Sequence, residues 1–125
     1  MVKILIAGDY APSGRVAQLI DENNFERIFN NVRSYTFGAD YSILNLEAPV
    51  VDSDTVVPIT KCGPHLKCSP NALKAAKYAG FDMLTLANNH IFDFGEQGIQ
   101  TTLDLCREMN IEYLGAGGNI DAAYV

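Results

Sequence analysis

The chain has 125 residues, of which 48% are apolar, and it carries a formal net charge of -6 at pH 7. This length suits one domain or part of a larger one, and the apolar share predicts a packed core. The acidic balance excludes the basic surface that nucleic-acid binding requires, and no apolar run approaches the roughly 18 residues of a membrane span. The apolar start is too short for a signal peptide and is interrupted by Asp9, so we expect a cytoplasmic protein.

The first half of the chain alternates between strand and helix patterns. Residues 2–7 are almost continuously aliphatic, which predicts a buried strand. Apolar residues recur at helical spacing over residues 14–37, and the pair Asn23-Asn24 is expected to divide this region into two helices. Residues 41–47 predict the second strand.

Residues 50–67 connect the second strand to the next helix. Proline and glycine limit regular structure here, so we expect a loop with one short edge strand at residues 56–57. Ser69 is the predicted N-cap of the following helix, and Pro70 occupies its first position, where the missing N–H is harmless. Gly80 can adopt the left-handed conformation that ends this helix.

The second half of the chain repeats the alternation. Residues 81–87 predict the third strand, and residues 98–109 predict a helix that Asn110 closes. Residues 111–114 predict a short fourth strand, and residues 120–125 begin a further element. Strands that alternate with helices predict an α/β fold with a mostly parallel sheet, which we expect to be flanked by helices on both faces.

Polar side chains follow three of the predicted strands, at the points where those strands end. They are Asp9, Asn45, Glu47, Asn88, Asn89 and His90. Because the carboxyl ends of parallel strands meet at one edge of the sheet, where ligands collect, we expect these side chains to lie together. Carboxylate and amide oxygens with an imidazole suit manganese, iron, zinc or magnesium, and two such ions can clamp a phosphoryl group and activate water. His90 could then donate a proton to the leaving oxygen.

Each of these residues also has a structural interpretation. Asp9 and Asp93 can cap the helices that follow them, and the two asparagines before His90 can stabilise a turn. Glu47 can be a surface charge, and a single histidine is often structural. The shared edge of the sheet favours the functional interpretation of the group as a whole.

The cysteines allow a second kind of metal site. Three cysteines are an odd number, which argues against a disulfide framework. Cys62, His65 and Cys68 lie close together in the sequence, but they lack the usual two-residue spacing between cysteines, and a fourth ligand must come from elsewhere. A zinc-stabilised α/β module that uses these three residues is therefore an alternative, and a plain loop is the simpler interpretation.

Four stretches of the chain occur in a family-specific order. They are Gly8-Asp9, Asn45-Leu46-Glu47-Ala48-Pro49, residues 87–95 (ANNHIFDFG) and residues 115–119 (GAGGN). In this order they resemble the CapA (PgsA-like) capsule-synthesis proteins, a branch of the calcineurin-like metallophosphoesterases, and the third stretch is the most specific. The resemblance implies that residues 1–125 are a single domain forming the N-terminal half of an α/β/β/α sandwich. It also implies a role in the production of capsule or poly-gamma-glutamate polymer.

The resemblance further implies roles for individual residues. The implied metal ligands are Asp9, Glu47 and Asn89, and the implied catalytic residue is His90, beside the scissile phosphate. The residues implied to contact the substrate or to support these groups are Asn45, Asn88 and Asp93. We expect the substrate to be phosphorylated or related to a polyanionic polymer.

Two departures from the family pattern bear on activity. The wider superfamily usually has a histidine two residues after its first Asp, where this chain has Ala11, and the sequence contains only His65 and His90. Family members are longer and bring further histidine ligands from later strands. Residues 1–125 are therefore expected to be an N-terminal portion with an incomplete ligand set and little phosphoesterase activity. A non-catalytic binding or scaffold module of capsule assembly is the alternative.

The strands also predict self-association. Runs such as Ile4-Leu5-Ile6 are apolar at successive positions, which is typical of strands buried on both faces. An apolar sheet face left in water forfeits roughly 25 cal/mol for each Å² that burial would remove from solvent. We therefore expect a homo-oligomer packed sheet to sheet.

Overall fold

The computed structural model describes residues 1–123, which form a parallel four-stranded sheet and four α-helices. The strands are β1 (Ile4–Tyr10), β2 (Tyr41–Leu46), β3 (Met83–Thr85) and β4 (Glu112–Leu114). The helices are α1 (Gly14–Asp21), α2 (Glu26–Thr36), α3 (Asn71–Ala79) and α4 (Gly95–Glu108), followed by a 3₁₀ turn at Asp121–Ala123. The predicted α/β class with a parallel sheet is confirmed. Of the further element predicted at residues 120–125, residues 124 and 125 lie outside the described range.

The strands lie side by side in chain order, β1-β2-β3-β4, and every neighbouring pair is parallel. Connections between parallel strands are right-handed, so a strand order that advances in one direction places every connecting helix on the same face of the sheet. The side chains agree, because Leu44 and Leu84 are 5% and 0% exposed, whereas Ile4 and Ile6 are 60% and 76% exposed. The expectation that helices flank both faces is therefore wrong for residues 1–123, since that arrangement needs a strand order that reverses direction.

The face without helices, called the open face below, is defined by strand residues that alternate with the buried ones. Its members are Ile4, Ile6, Tyr41, Ile43, Asn45, Met83, Thr85, Glu112 and Leu114. Near the amino ends of the strands, isoleucine side chains lie beside the hydrogen-bonded pair of Tyr41 and Glu112. At the carboxyl ends of β2 and β3, Asn45 and Thr85 make the face polar. The candidate site lies at that polar end.

Helix α3 packs closely in the core because most of its buried residues are small. Its buried positions are Ala72, Leu73, Ala75, Ala76 and Ala79, each 1% exposed or less. Helices α1 and α2 both pack against α3. Gly80 ends α3 with φ of 88°, and a Cβ atom there would lie 2.9 Å from Thr36 Oγ1, so the predicted left-handed glycine is confirmed.

Local predictions in the first half of the chain had mixed outcomes. The predicted break between α1 and α2 is confirmed, and Asn23 there adopts a positive φ of 57°. The strand predicted at residues 56–57 is wrong, because this segment is turn and coil. Val56 is instead anchored as a buried side chain, 7% exposed, without pairing to the sheet.

Two predicted helix starts differ from the structure. Ser69 does not cap α3, because its hydroxyl donates to the Asp21 carboxylate and Pro70 occupies the N-cap position. Helix α4 begins at Gly95 rather than at residue 98. No helix within residues 1–123 combines the length and the apolar character needed to cross a membrane.

Candidate functional site

A bulge in β1 determines where Asp9 points. From Ile6 to Asp9, β1 advances three residues where β2 advances two. Side chains alternate between the two faces of a strand, so without the extra residue Asp9 would point toward the helices. With the bulge, Asp9 pairs in register with Asn45, and its carboxylate lies beside that side chain.

Asn45 links the ends of three strands through its amide. Its Nδ2 donates to Asp9 Oδ1 at 2.7 Å, and its Oδ1 accepts from Thr85 Oγ1 at 3.1 Å and from Asn88 Nδ2 at 3.2 Å. Thr85 is a site residue that the sequence analysis missed. Its register position beside Asn45 is the signal that could have found it, because the two residues share a face of the sheet.

Asn88 shapes the turn that follows β3. Its Nδ2 donates to the Leu46 carbonyl at 2.8 Å, and its Oδ1 accepts the backbone N–H groups of His90 at 3.1 Å and Ile91 at 3.0 Å. The interpretation of Asn88 as a turn-stabilising residue is therefore confirmed. Through Asn45, the same side chain also connects Asp9 to the backbone of His90.

His90 is held by a buried carboxylate. Its Nδ1 lies 2.7 Å from Asp93 Oδ2, and the Asp93 side chain is only 1% exposed. Lys61 Nζ forms an ion pair with Asp93 Oδ1, and the Leu66 N–H donates to Asp93 Oδ2 at 2.7 Å. Asp93 therefore does not cap α4, whose N-cap is Phe94.

The charge of Asp93 decides which nitrogen of His90 carries a proton. Burial alone would raise the pKa of this carboxyl, but its hydrogen bonds from Lys61, His90 and a backbone N–H, with the Lys61 charge, outweigh burial and lower the pKa to about 2. An ionised carboxylate only accepts hydrogen bonds, so Nδ1 of His90 must be the donor. The Nε2 atom is then left for proton transfer or metal ligation.

Lys61 is the second site residue that the sequence analysis missed. It lies in the irregular 50–67 connection, and its side chain is 22% exposed. A buried aspartate requires a cation or several donors, but no sequence pattern shows which of the nine Lys and Arg residues supplies the charge.

The remaining predicted ligands lie nearer the surface. Asp9 and Asn89 are exposed, and Glu47 is partly buried. The Glu47 N–H donates to the Tyr10 carbonyl at 3.1 Å, which places Glu47 beside the end of β1. Within residues 1–123, no three His, Cys, Asp or Glu side chains are grouped so that they could hold one metal ion. Asp9, Glu47 and Asn89 offer oxygen donors near the carboxyl ends of β1, β2 and β3.

The three residues of the zinc alternative have different surroundings in the structure. Cys62, His65 and Cys68 do not form a metal-binding group within the described residues. Cys62 is exposed, whereas Cys68 is buried and its thiol donates weakly toward the carbonyls of Ala48 and Pro49. Burial raises the pKa of the Cys68 thiol to about 12. His65 Nε2 is engaged with the Ile59 carbonyl at 2.7 Å.

The end of β4 and the loop after it contact the backbone that leads from β3 to the site. The Leu86 N–H donates to the Leu114 carbonyl at 2.8 Å. Gly115 has φ of +96°, and a Cβ atom there would lie 2.7 Å from both Cβ and N of Ala87. The backbone just before Asn88 therefore rests directly on this glycine.

Together these features define a class: an α/β protein with one uncovered sheet face and a hydrogen-bonded polar site at the carboxyl ends of its parallel strands. The chain belongs to the family described as bacterial capsule synthesis protein PGA_cap, whose model matches residues 3–125. This finding confirms the resemblance to the capsule-synthesis proteins.

Two curated relatives are similar over most of this chain. Capsule biosynthesis protein CapA of Bacillus anthracis is 33% identical over 116 residues, which cover 91% of this chain and 28% of the relative. PGA biosynthesis protein CapA of Bacillus subtilis (strain 168) is 29% identical over 116 residues, which cover 93% of this chain and 30% of the relative. The chain thus spans less than a third of the length of these relatives.

Proposed function

We propose that this chain acts in the biosynthesis of a capsule polymer and carries the N-terminal part of a metal-dependent phosphoesterase site. The names of both curated relatives, which refer to capsule and PGA biosynthesis, support the first half of this proposal. The second half is supported by the hydrogen-bonded series that runs from Asp9 through Asn45 and Asn88 to His90. The expected cytoplasmic location stays a prediction.

In this proposal His90 moves the proton and Asp93 orients it. The Asp93 carboxylate accepts from Nδ1–H, so the proton that moves is the one on Nε2 of the doubly protonated imidazolium. It passes to the leaving oxygen of a phosphorylated or polyanionic polymer-related substrate, and His90 is left as the neutral Nδ1–H tautomer. The Asn88 side chain accepts the His90 backbone N–H and so holds that backbone next to the sheet edge. A histidine held in this way keeps one orientation through the reaction.

The metal ligands in this proposal are Asp9, Glu47 and Asn89. A divalent ion bound there would polarise the phosphoryl group and lower the pKa of a bound water. Asn45 would keep Asp9 Oδ1 in place and leave Oδ2 for the ion. Because the described residues supply only part of a ligand set, we propose that the isolated chain has little phosphoesterase activity.

Manganese titration of the isolated chain, followed by calorimetry, tests the proposed ligands. Wild type is expected to bind Mn²⁺ weakly, and Asp9→Ala is expected to abolish this binding. Asp104→Ala is the matched control, because this aspartate is exposed on α4 and pairs with Arg107. Equal binding by wild type and Asp9→Ala would contradict the ligand assignment. Metal-dependent hydrolysis of a generic phosphodiester by the chain alone, lost in His90→Ala, would overturn the proposed inactivity.

A non-catalytic binding or scaffold module is the second candidate function. It is favoured by one observation, namely that no complete group of three strong metal ligands exists within residues 1–123. This candidate predicts no Mn²⁺ binding by wild type. The calorimetric titration therefore distinguishes the two functions.

We also propose that the isolated chain forms a homo-oligomer through its open face. Ile4 and Ile6 lie there with most of their side-chain surface in solvent. Light scattering at micromolar concentration should show a dimer or larger species that Ile6→Lys dissociates. Val57→Lys is the control, because Val57 is 75% exposed but lies in the 50–67 connection. A monomeric wild type would refute this assembly.

A further inference from the structure

Residues 59–66, called the 59–66 loop below, form hydrogen bonds and an ion pair with a single residue, Asp93. The Ile59 N–H donates to the Asp93 carbonyl at 3.0 Å, and the Leu66 N–H donates to Asp93 Oδ2 at 2.7 Å. Between these two points, Lys61 reaches Asp93 Oδ1. Both ends and the middle of the loop therefore meet at Asp93.

The loop is also closed on itself. His65 Nε2 pairs with the Ile59 carbonyl at 2.7 Å, and its ring meets the Phe94 ring edge-on at a centroid distance of 6.4 Å. The Asp93 carboxylate beside this loop is 1% exposed and therefore shielded from competing water. A shielded carboxylate needs its donors, because an unpaired buried charge is strongly unfavourable.

The two oxygens of Asp93 have separate partners. Oδ1 is taken by Lys61, so His90 is confined to Oδ2, which it shares with the Leu66 N–H. Lys61 Nζ lies 3.4 Å from His90 Nδ1, but both atoms carry protons, so the shared carboxylate and not a hydrogen bond holds them at this distance.

We propose that Lys61 is a positioning residue: by occupying Asp93 Oδ1 it fixes the carboxylate, and the carboxylate in turn holds His90 as the Nδ1–H tautomer with Nε2 available. For catalysis this inference rests on the proposed function, but the geometry it describes exists without substrate or metal. It assigns a task to a segment that the sequence suggests is only a connection.

The tautomer of His90 is the direct readout. Nitrogen-15 NMR of the full chain at mildly alkaline pH, where free imidazole is neutral, distinguishes a protonated Nδ1 from a protonated Nε2. Wild type should show only the Nδ1–H tautomer at His90. Lys61→Met should lose this single state and show a mixture, and the Leu66 amide should exchange about tenfold faster as the loop loosens.

Two further variants control the experiment. Lys67→Met removes a lysine just beyond the loop whose Nζ lies 5.7 Å over the Phe94 ring, and it should leave the His90 signal unchanged. Lys61→Arg keeps a charged donor and should restore the Nδ1–H state. A role limited to stability would lower the unfolding midpoint in Lys61→Met without changing the tautomer.

The possible outcomes separate this inference from the proposed function. A folded Lys61→Met that keeps the wild-type tautomer would overturn the inference, as would an Nε2–H tautomer in wild type. If Lys61→Met does not fold, Lys61→Gln is measured instead, because its amide can donate to Asp93 without a charge. If neither variant folds, Lys61→Arg decides, because a folded Lys61→Arg that shows a mixture of tautomers would overturn the inference. Failure to bind Mn²⁺ would refute the proposed metal ligands and leave the tautomer result standing.

Discussion

Asn88→Ala is expected to destabilise the fold, whereas Asn89→Ala is expected to leave it nearly unchanged. The Asn88 side chain makes four hydrogen bonds, two as donor and two as acceptor. Asn89 is exposed at the surface of the same turn. The two substitutions remove the same atoms one residue apart, so their difference measures the hydrogen bonds and not the change in composition.

The magnitude follows from the number of bonds. Each intramolecular hydrogen bond contributes a net 0.5–1.5 kcal/mol, roughly, and water can replace part of these in a partly buried turn, so the expected loss is about 2–4 kcal/mol. Asn89→Ala should change the free energy of unfolding by less than about 0.5 kcal/mol. Since a domain of this kind has a stability of about 5–15 kcal/mol, Asn88→Ala should remain folded and measurable.

Urea unfolding followed by circular dichroism is the assay. With an m-value of about 2 kcal/mol per molar urea, the midpoint of Asn88→Ala should fall by about 1–2 M relative to wild type. Asn88→Asp keeps the acceptor and loses the donors, so its urea midpoint should lie between those of wild type and Asn88→Ala. If Asn88→Ala and Asn89→Ala have the same midpoint, the hydrogen bonds from the Asn88 side chain do not stabilise the turn in solution.

Two further predictions concern acid stability and the loop behind the site. The pKa of Asp93 is lowered from 3.8 to about 2 in the folded state, so the folded chain binds fewer protons there than the unfolded chain. Stabilisation of roughly 2 kcal/mol should therefore be present above about pH 4 and be lost as the pH falls through about 2. Asp93→Asn should flatten this part of the pH–stability profile, and an unchanged slope would refute the assignment. Gly115→Ala should cost about 2–4 kcal/mol because it combines a positive φ with a clash against Ala87. Gly118→Ala, which meets open space, should cost less than about 0.5 kcal/mol, and equal losses would show that the contact with Ala87 is unimportant.

Local patterns predicted most elements of the fold because they report local burial. The aliphatic run before Asp9 and the apolar spacing around the break at Asn23 correspond to β1, α1 and α2. The side of the sheet on which the helices pack was not predictable in this way. It depends on the order of strands in the sheet, and an aliphatic strand with one face in solvent has the same sequence pattern as one buried on both faces.

The candidate site was also predictable only in part. Strand endings predicted that Asp9, Asn45 and Asn88 lie together, and their hydrogen bonds confirm it. The sequence could not show that a bulge turns Asp9 toward Asn45, because one extra residue leaves no mark on an apolar strand. It also could not select Lys61, whose place beside Asp93 is created by the path of the 59–66 loop.

The strand order has a consequence for the way this chain acquires its site during synthesis. Each strand pairs with the strand made just before it, so the sheet can grow from β1 toward β4 as the chain emerges, without waiting for a distant partner. Every side chain that connects Asp9 to Lys61 through His90 and Asp93 belongs to residues 9–93. Helix α4 and β4 come later and add the contact of Gly115 with Ala87. All residues of the polar site are therefore synthesised before α4 and β4. Those two elements then stabilise an arrangement whose side chains are already part of the chain.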